Sequence, residues 1–430
     1  MERPATGGGA ASTERGSAGE VFAAFLRLGL LSFGGPIAHL GYFRAEFVER
    51  RRWLDDREYG SLVALCQFLP GPASSQVGFA IGLRRAGGLG ALAAFVAFTL
   101  PSAALMLAFA AGAAFVSGPV GTGILRGLGI VAVAIVAEAV LGMARSLAPD
   151  RARGAILVAA AAAALLLPGA WGQVSAIGIG ALAGLLLCRA PADALGAPLA
   201  APARVTSGRS RVGRTLGAAC LALFAVLLLA GPTWAAATAR GVSGAEGGSA
   251  WSGSVAQFDA FFHAGALVFG GGHVVLPLLQ SGVVETGWVS NADFLAGYGA
   301  AQAMPGPLFS FAAYLGAVST AGPGGALGAL VALTGIFLPG FLLLVGVLPF
   351  WEALSRRTAM QALVRGANAA VVGVLAAALY SPVFTTAIVS PAAFCLALAC
   401  FAMRTVGRVA PGLVVLAGSA GGVLLELLAV

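Results

Sequence analysis

Apolar residues fill long unbroken stretches of this chain, at 91–116, 155–168, 174–188, 216–229, 327–349 and 412–430. These runs are near the ~20 residues that a helix needs to cross a bilayer core. Polar positions gather between them, in short clusters of Arg, Gly and Pro. The pattern predicts an all-α polytopic membrane protein with about 9 to 13 membrane segments.

The interruptions repeat. Phe33-Gly34-Gly35 returns as Phe269-Gly270-Gly271, and Gln67-Phe68-Leu69-Pro70-Gly71-Pro72 returns as Gln302-Ala303-Met304-Pro305-Gly306-Pro307. Arg126-Gly127 returns as Arg365-Gly366. Matched Gly/Pro breaks in two hydrophobic halves point to the substrate site of a transporter. The chain divides on this basis into a disordered tail (1–19), a first repeat (20–190), an Arg-rich cytoplasmic linker (191–214), an unmatched linking helix with a polar loop (215–255) and a second repeat (256–430). The Gly/Ala/Ser/Thr-rich tail has no apolar core, so it is not read as a cleavable signal peptide.

Composition strengthens the membrane assignment: 59% of residues are hydrophobic and 10% charged, against roughly a quarter charged in a soluble domain. All 25 basic residues are Arg, and the net charge is +8. They cluster between apolar runs without aromatic interleaving, which fits the positive-inside bias and not nucleic-acid binding. The five cysteines are scattered and have no metal-ligand or disulfide spacing. No phosphate loop, zinc-protease helix, nucleophile elbow or dinucleotide fingerprint is present, so neither enzyme chemistry nor a cofactor is expected.

Charge also sets orientation. Residues 44–57 contain five Arg, whereas the matching loop at 278–293 contains none. Equivalent loops of opposite character imply inverted repeats, with the unmatched helix supplying the inversion. Residues 44–57 and Arg84-Arg85 flank the first Pro-Gly-Pro, and both are basic. Both fall on one side only if the segment between them is a re-entrant hairpin. Two arms of roughly 11 residues, each ~17 Å long, reach the midplane of a ~30 Å core and return. The Arg/acid mixture over 44–58, with Trp53, reads as an amphipathic interfacial segment.

At each Pro-Gly-Pro the backbone loses helical partners, which is tolerated at membrane depth only inside protein or beside a water-filled cavity. The N-terminus of the following half-helix presents free N–H groups to an anion. Ser74, Ser75 and Gln76 follow the first break, and Ser310 stands where Ser75 does in the second. The alternative is a helix kink with each Ser bonded to its own backbone. The candidate substrate set is therefore Arg27, Gly34, Gly35, Gln67, Pro70, Gly71, Pro72, Ser74, Ser75 and Arg126, with Gly270, Gly271, Gln302, Pro305, Gly306, Pro307 and Ser310. Arg27 and Arg126 are read as anion contacts, against snorkelling to the interface. His39, His273 and the lone intramembrane acid Glu138 are the proton-coupling candidates, Glu138 alternatively as an Arg partner. No metal site is expected.

The paired motifs Phe33-Gly34-Gly35-Pro36…His39 and Gln67-x-x-Pro70-Gly71-Pro72, their echoes in the second half, Trp53-Leu54…Tyr59 and Gly87-x-x-Gly90 together resemble the chromate ion transporter family in its long, two-domain form. The resemblance covers the chain after residue 20. It implies an inner-membrane carrier that exports chromate on the membrane potential or proton gradient, with sulfate as a near-isosteric alternative. Gly272 in place of proline and Phe309 in place of Ser74 depart from the first half, which implies unequal halves. The expected partners are the oxyanion and the bilayer, and a homodimer is compatible. A passive anion channel on the same repeat, or a membrane sensor or assembly protein that moves no ion, are the competing readings.

Overall fold

The computed structural model describes residues 16–33, 35–113, 118–167, 169–188, 213–241, 250–269, 272–355 and 357–428. The linker expected at 191–214 lies, up to residue 212, outside them, as does the tail up to residue 15. The described residues are mainly helical, with no strand among them. In the first half these are α1 (Ala18–Leu31), α2 (Gly35–Arg44), α3 (Asp56–Phe68), α4 (Ala73–Ala113), α5 (Gly118–Leu147), α6 (Arg151–Leu166) and α7 (Gly169–Leu187). The linking helix is α8 (Arg214–Gly241). The second half holds α9 (Ala250–Ala266), α10 (Val275–Val283), α11 (Asn291–Ala303), α12 (Phe311–Val318), α13 (Gly325–Val347), α14 (Trp351–Ser355), α15 (Thr358–Ala378), α16 (Thr385–Ala387), α17 (Pro391–Thr405) and α18 (Pro411–Leu427). Among the described residues five helical stretches are long and apolar enough to cross a membrane, and shorter apolar helices accompany them.

The helix order is duplicated. The helix before each Gly-Gly motif (α1, α9) is followed by a short arm of 13 residues (α3, α11), each ending at a Pro-Gly-Pro. Local chemistry sets the start of each arm. Asp55 and Glu58 form a reciprocal capping box on α3, and Ser290 caps α11 through the Asp293 N–H. α4 is two helices joined at Ala86-Gly87, where Gly87 turns left-handed at φ 71°. Its two arms correspond to α12 and α13 of the second half.

The halves interlock. α1 packs on the second arm of α4, as α9 packs on α13, but the last two helices of each repeat cross over to the other. α17 and α18 pack on α5, while α6 and α7 pack on α15. Small residues make the crossover close: Gly123 and Gly127 meet Gly422 and Gly418, and at the equivalent place Ala362 and Gly366 meet Gly184 and Gly180. Backbone against backbone is how helices associate in lipid, where no hydrophobic gain separates a helix contact from a lipid contact. Reciprocal contacts of this kind are the signature of a two-fold relation, which inverted repeats require.

At the basic surface the amphipathic segment is knitted by ion pairs. Arg51 bonds Glu46 at 2.6 Å, Arg44 bonds Asp56 at 2.8 Å, and Arg84 bonds Glu58. Trp53 stacks on Phe47 with centroids 4.8 Å apart and lies under Arg51 and Arg85. This segment is structural, as its mixed charge implies.

Candidate functional site

The two Pro-Gly-Pro breaks are docked on each other's repeats by matching hydrogen bonds. Gly71 N–H donates 2.7 Å to the carbonyl of Val268, the residue before Phe269. Gly306 N–H donates 3.0 Å to the carbonyl of Ser32, the residue before Phe33. Both glycines have positive φ, 122° and 94°, so the sharp turn that frees each N–H needs glycine. Each also lies against the other repeat's proline-bearing helix: a Cβ at Gly71 would sit 3.0 Å from Gly340 Cα, and one at Gly306 would sit 2.9 Å from Ser102 Oγ. Pro101 in α4 and Pro339 in α13 precede those contacts, so the two crossings are built alike.

A buried polar cluster fills the space between them. Ser32, His39, Ser74, Ser75, Gln76, Thr99, Ser102 and Ser310 are all at most 4% exposed. His39 Nε2 lies 3.2 Å from the Ser32 carbonyl, which can only accept, so Nε2 carries the proton and Nδ1 accepts from Ser74 Oγ at 3.4 Å. Ser102 Oγ donates to Thr99 O at 3.0 Å and therefore receives its 2.6 Å bond from Ser310. Gln76 Nε2 donates to the carbonyls of Pro70 (3.1 Å) and Gly340 (2.9 Å), tying the first break to α13. The hydroxyls of Ser32, Ser75 and Thr99 have no partner, nor do Gln76 Oε1 and Gln302 Nε2. A buried hydroxyl without a partner costs about 1–3 kcal/mol. Ser75 stands in the first turn of α4, whose leading main-chain amides precede the first intrahelical bond, Gln76 N–H to Pro72 O at 2.9 Å. The arrangement offers hydroxyl and amide donors to an oxyanion without any fixed positive charge.

The remaining candidates lie elsewhere. Gly35 opens α2 at φ 78°, while Gly34, Gly270 and Gly271 lie outside the described residues. Pro70, Pro72, Pro305 and Pro307 form the breaks themselves, and Gln67 is exposed at the end of α3. Arg27 is exposed on α1, whose buried face carries Ala24, Phe25, Leu28 and Gly29; the helix turns it away from the crossings. Arg126 is already neutralised, 3.2 Å from Glu426 of α18. Glu138 accepts two bonds from Arg404 of α17, at 2.7 and 2.8 Å. His273 Nδ1 lies 2.6 Å from the hydroxyl of Tyr298 and is separate from the His39 network.

Sequence reasoning passed over Ser32, Thr99, Ser102 and Arg404. The hydroxyl residues flanking Pro101 could have been found by matching it to Pro339, since Pro-broken helices come in pairs here. Arg404 is the one Arg within residues 391–405 and Glu138 the one acid in its own run, so the two could have been matched as partners.

The chromate transporter family's sequence profile matches residues 19–185 and again 255–423. The chain belongs to the chromate transporter family. It is 31% identical to a chromate transport protein of Pseudomonas aeruginosa, over 83% of this chain and 79% of that protein. A chromate transport protein of Cupriavidus metallidurans is 28% identical, over 82% and 80% of the two chains. A probable chromate transport protein of Synechococcus elongatus is 29% identical, over 82% and 81%. No solved structure matches. The double match coincides with the duplicated helix order, and the chain is a multi-pass membrane transporter of this family.

Proposed function

We propose that the protein is a secondary active exporter of chromate in the inner plasma membrane, driven by the membrane potential or proton gradient. Chromate sits between the two crossings, held by Ser75 and the leading amides of α4 at the first and by Thr99 and Ser32 beside the second. The observation that carries this reading is the set of buried hydroxyls without partners between the two crossings. Sulfate shares the charge and tetrahedral shape of chromate, so it competes for the same donors. Arg27 and Arg126 are left out of the site, one exposed and one ion-paired.

His39 is the proton-coupling residue of this reading. Neutral, its Nδ1 engages the Ser74 hydroxyl. Protonated, it becomes a donor at both nitrogens, frees Ser74 to turn toward the anion and places positive charge beside it. Glu138, held by Arg404, is a bundle clamp in this scheme. The test is uptake of labelled chromate into inside-out vesicles, with and without a proton gradient and with excess sulfate. Saturable, energised, sulfate-sensitive uptake supports the exporter. Flux that neither saturates nor follows the gradient assigns the fold to a channel instead.

A further inference from the structure

The linking helix α8 carries Gly231-Pro232 in the middle of an apolar run. Pro232 has no N–H, so the carbonyl of Leu228, four residues earlier, loses its helical partner. His263 of α9 fills that vacancy, with Nε2 at 2.9 Å from Leu228 O. Its other nitrogen, Nδ1, lies 3.0 Å from the main-chain carbonyl of Asp259 and 3.2 Å from Asp259 Oδ1. Carbonyl oxygens only accept. A neutral imidazole would aim a lone pair at one of these oxygens, whereas an imidazolium donates to them all. Asp259 supplies the balancing charge. Gly231 makes room for it, because any Cβ there would collide with the Asp259 carboxylate.

The pair is partly exposed, His263 at 27% and Asp259 at 17%, and its neighbours within the protein are apolar. Phe224, Leu227 and Leu228 of α8 and Phe258 of α9 pack with Phe262, the neighbour of His263, along the α8–α9 seam. α10 and α13, which also pack on α9, carry no ionisable side chain, and α9 has no others. Of the ionisable residues of α8, Cys220 stands eight positions before Leu228 and Arg240 eight after Pro232, about 12 Å along the axis in each case, and Arg214 is farther. In the first repeat the position of His263 is held by Arg27, a permanent cation, and that of Asp259 by Ala23. The second repeat therefore has a cation that can discharge where the first has one that cannot.

We infer that Asp259 and His263 form a proton-binding site at the proline break of α8. Loaded, the pair is an imidazolium with a carboxylate and has no net charge. Emptied, His263 has given one proton to solvent, and a lone carboxylate is left among apolar side chains. The remaining proton stays on Nδ1 beside the carboxylate, so Nε2 turns a lone pair to the Leu228 carbonyl and the site loses its hold on α8. One turn beyond, Leu267 N–H bonds the His263 carbonyl at 3.2 Å, and the next residue, Val268, supplies the carbonyl that anchors Gly71. Proton release at this site thus loosens the support of the first crossing, so transport reads the protonation of a residue outside the substrate site.

The chain has three histidines, so ring-nitrogen resonances of ¹⁵N-histidine-labelled protein in lipid nanodiscs are few enough to assign. At neutral pH, where free histidine is largely uncharged, we expect one imidazolium. That signal should vanish in His263→Arg and become neutral in Asp259→Asn. A neutral His263 in the folded wild type overturns the site. This arm needs no transported ion and so stands apart from the chromate reading, on which the second arm rests. In vesicles, His263→Arg should lose the part of the pH dependence of uptake that follows deprotonation of the wild-type imidazolium, and Asp259→Asn should shift it to lower pH. Wild-type pH profiles in both folded variants overturn the coupling to transport.

Discussion

The two Pro-Gly-Pro crossings share a backbone and differ in what lines it. Both glycines donate to the residue before the other repeat's Gly-Gly motif, and both lie on a proline-bearing helix. The first break is followed by Ser74, Ser75 and Gln76, the second by Phe309, Ser310 and Phe311. Counting back from Pro101 and Pro339, Thr99 of α4 faces a matching Phe337 of α13. Phe309 and Phe337 pack together with centroids 5.7 Å apart, and Phe311 packs edge-on against Phe294 and Tyr298. The first break is followed by donors, the second by aromatic rings around a single serine. Duplication supplies the frame twice because an inverted fold needs both breaks. In the proposed reading the chemistry is supplied once, because a single anion needs one set of donors.

Substitution at the shared frame should have the largest effect and strike both halves equally. Gly71→Ala and Gly306→Ala each place a Cβ against packed atoms at a positive φ. The backbone term alone is about 1–2 kcal/mol, and the contact adds to it. We expect chromate uptake to be lost in both and the melting temperature to fall in both. A mutant of either glycine that transports normally breaks the symmetry of the frame.

The lining separates them. Ser75 Oγ has no partner, so Ser75→Ala removes an unsatisfied group and should leave stability unchanged or slightly raised. Uptake should nevertheless fall to background. Ser310 is bonded to Ser102, so Ser310→Ala should cost about 0.5–1.5 kcal/mol of stability and leave uptake largely intact. Comparing uptake with thermal melting for this pair shows which serine holds the anion. The opposite assignment would follow from uptake lost in Ser310→Ala and kept in Ser75→Ala.

Much of this was legible in the chain. Apolar runs gave the helices, and the repeated breaks gave the duplication and the place of the crossings, because proline and glycine constrain the backbone wherever they stand. The arms proved close to the expected length, 13 residues in both α3 and α11. What escaped was partnership. An isolated Arg reads the same whether exposed like Arg27, paired across 300 residues like Arg126, or bonded to a distant carboxylate like Arg404. The crossover of α6–α7 and α17–α18 decides those pairings, and glycine spacing does not name the helix it will meet. For the same reason Thr99 and Ser102 could not be joined to the site without the packing of α4 against the second break.

The Glu138–Arg404 clamp is a smaller asymmetry, since Ala377 stands in α15 where Glu138 stands in α5. The two side chains are 30% and 21% exposed, so breaking the pair should cost about 1–3 kcal/mol, between the exposed and buried limits. Glu138→Gln and Arg404→Met should each lower the melting temperature, and the double variant should recover part of the loss. Uptake by the folded Glu138→Gln protein should keep its proton dependence. A flattened dependence would instead make the carboxylate a relay.

The smallest effect is expected at Arg27, and it is the sharpest check on a neutral site. Arg27 and His263 occupy matching positions, yet His263 is tied to α8 while Arg27 is exposed on the face of α1 opposite its packed residues. An exposed side chain of this kind changes stability by no more than about 0.5 kcal/mol when truncated. Arg27→Ala should therefore melt with the wild type and take up chromate at a similar rate. If uptake collapses while melting is unchanged, a fixed positive charge belongs to the anion's path. The hydroxyl site would then be a stopping place that needs an arginine to fill it.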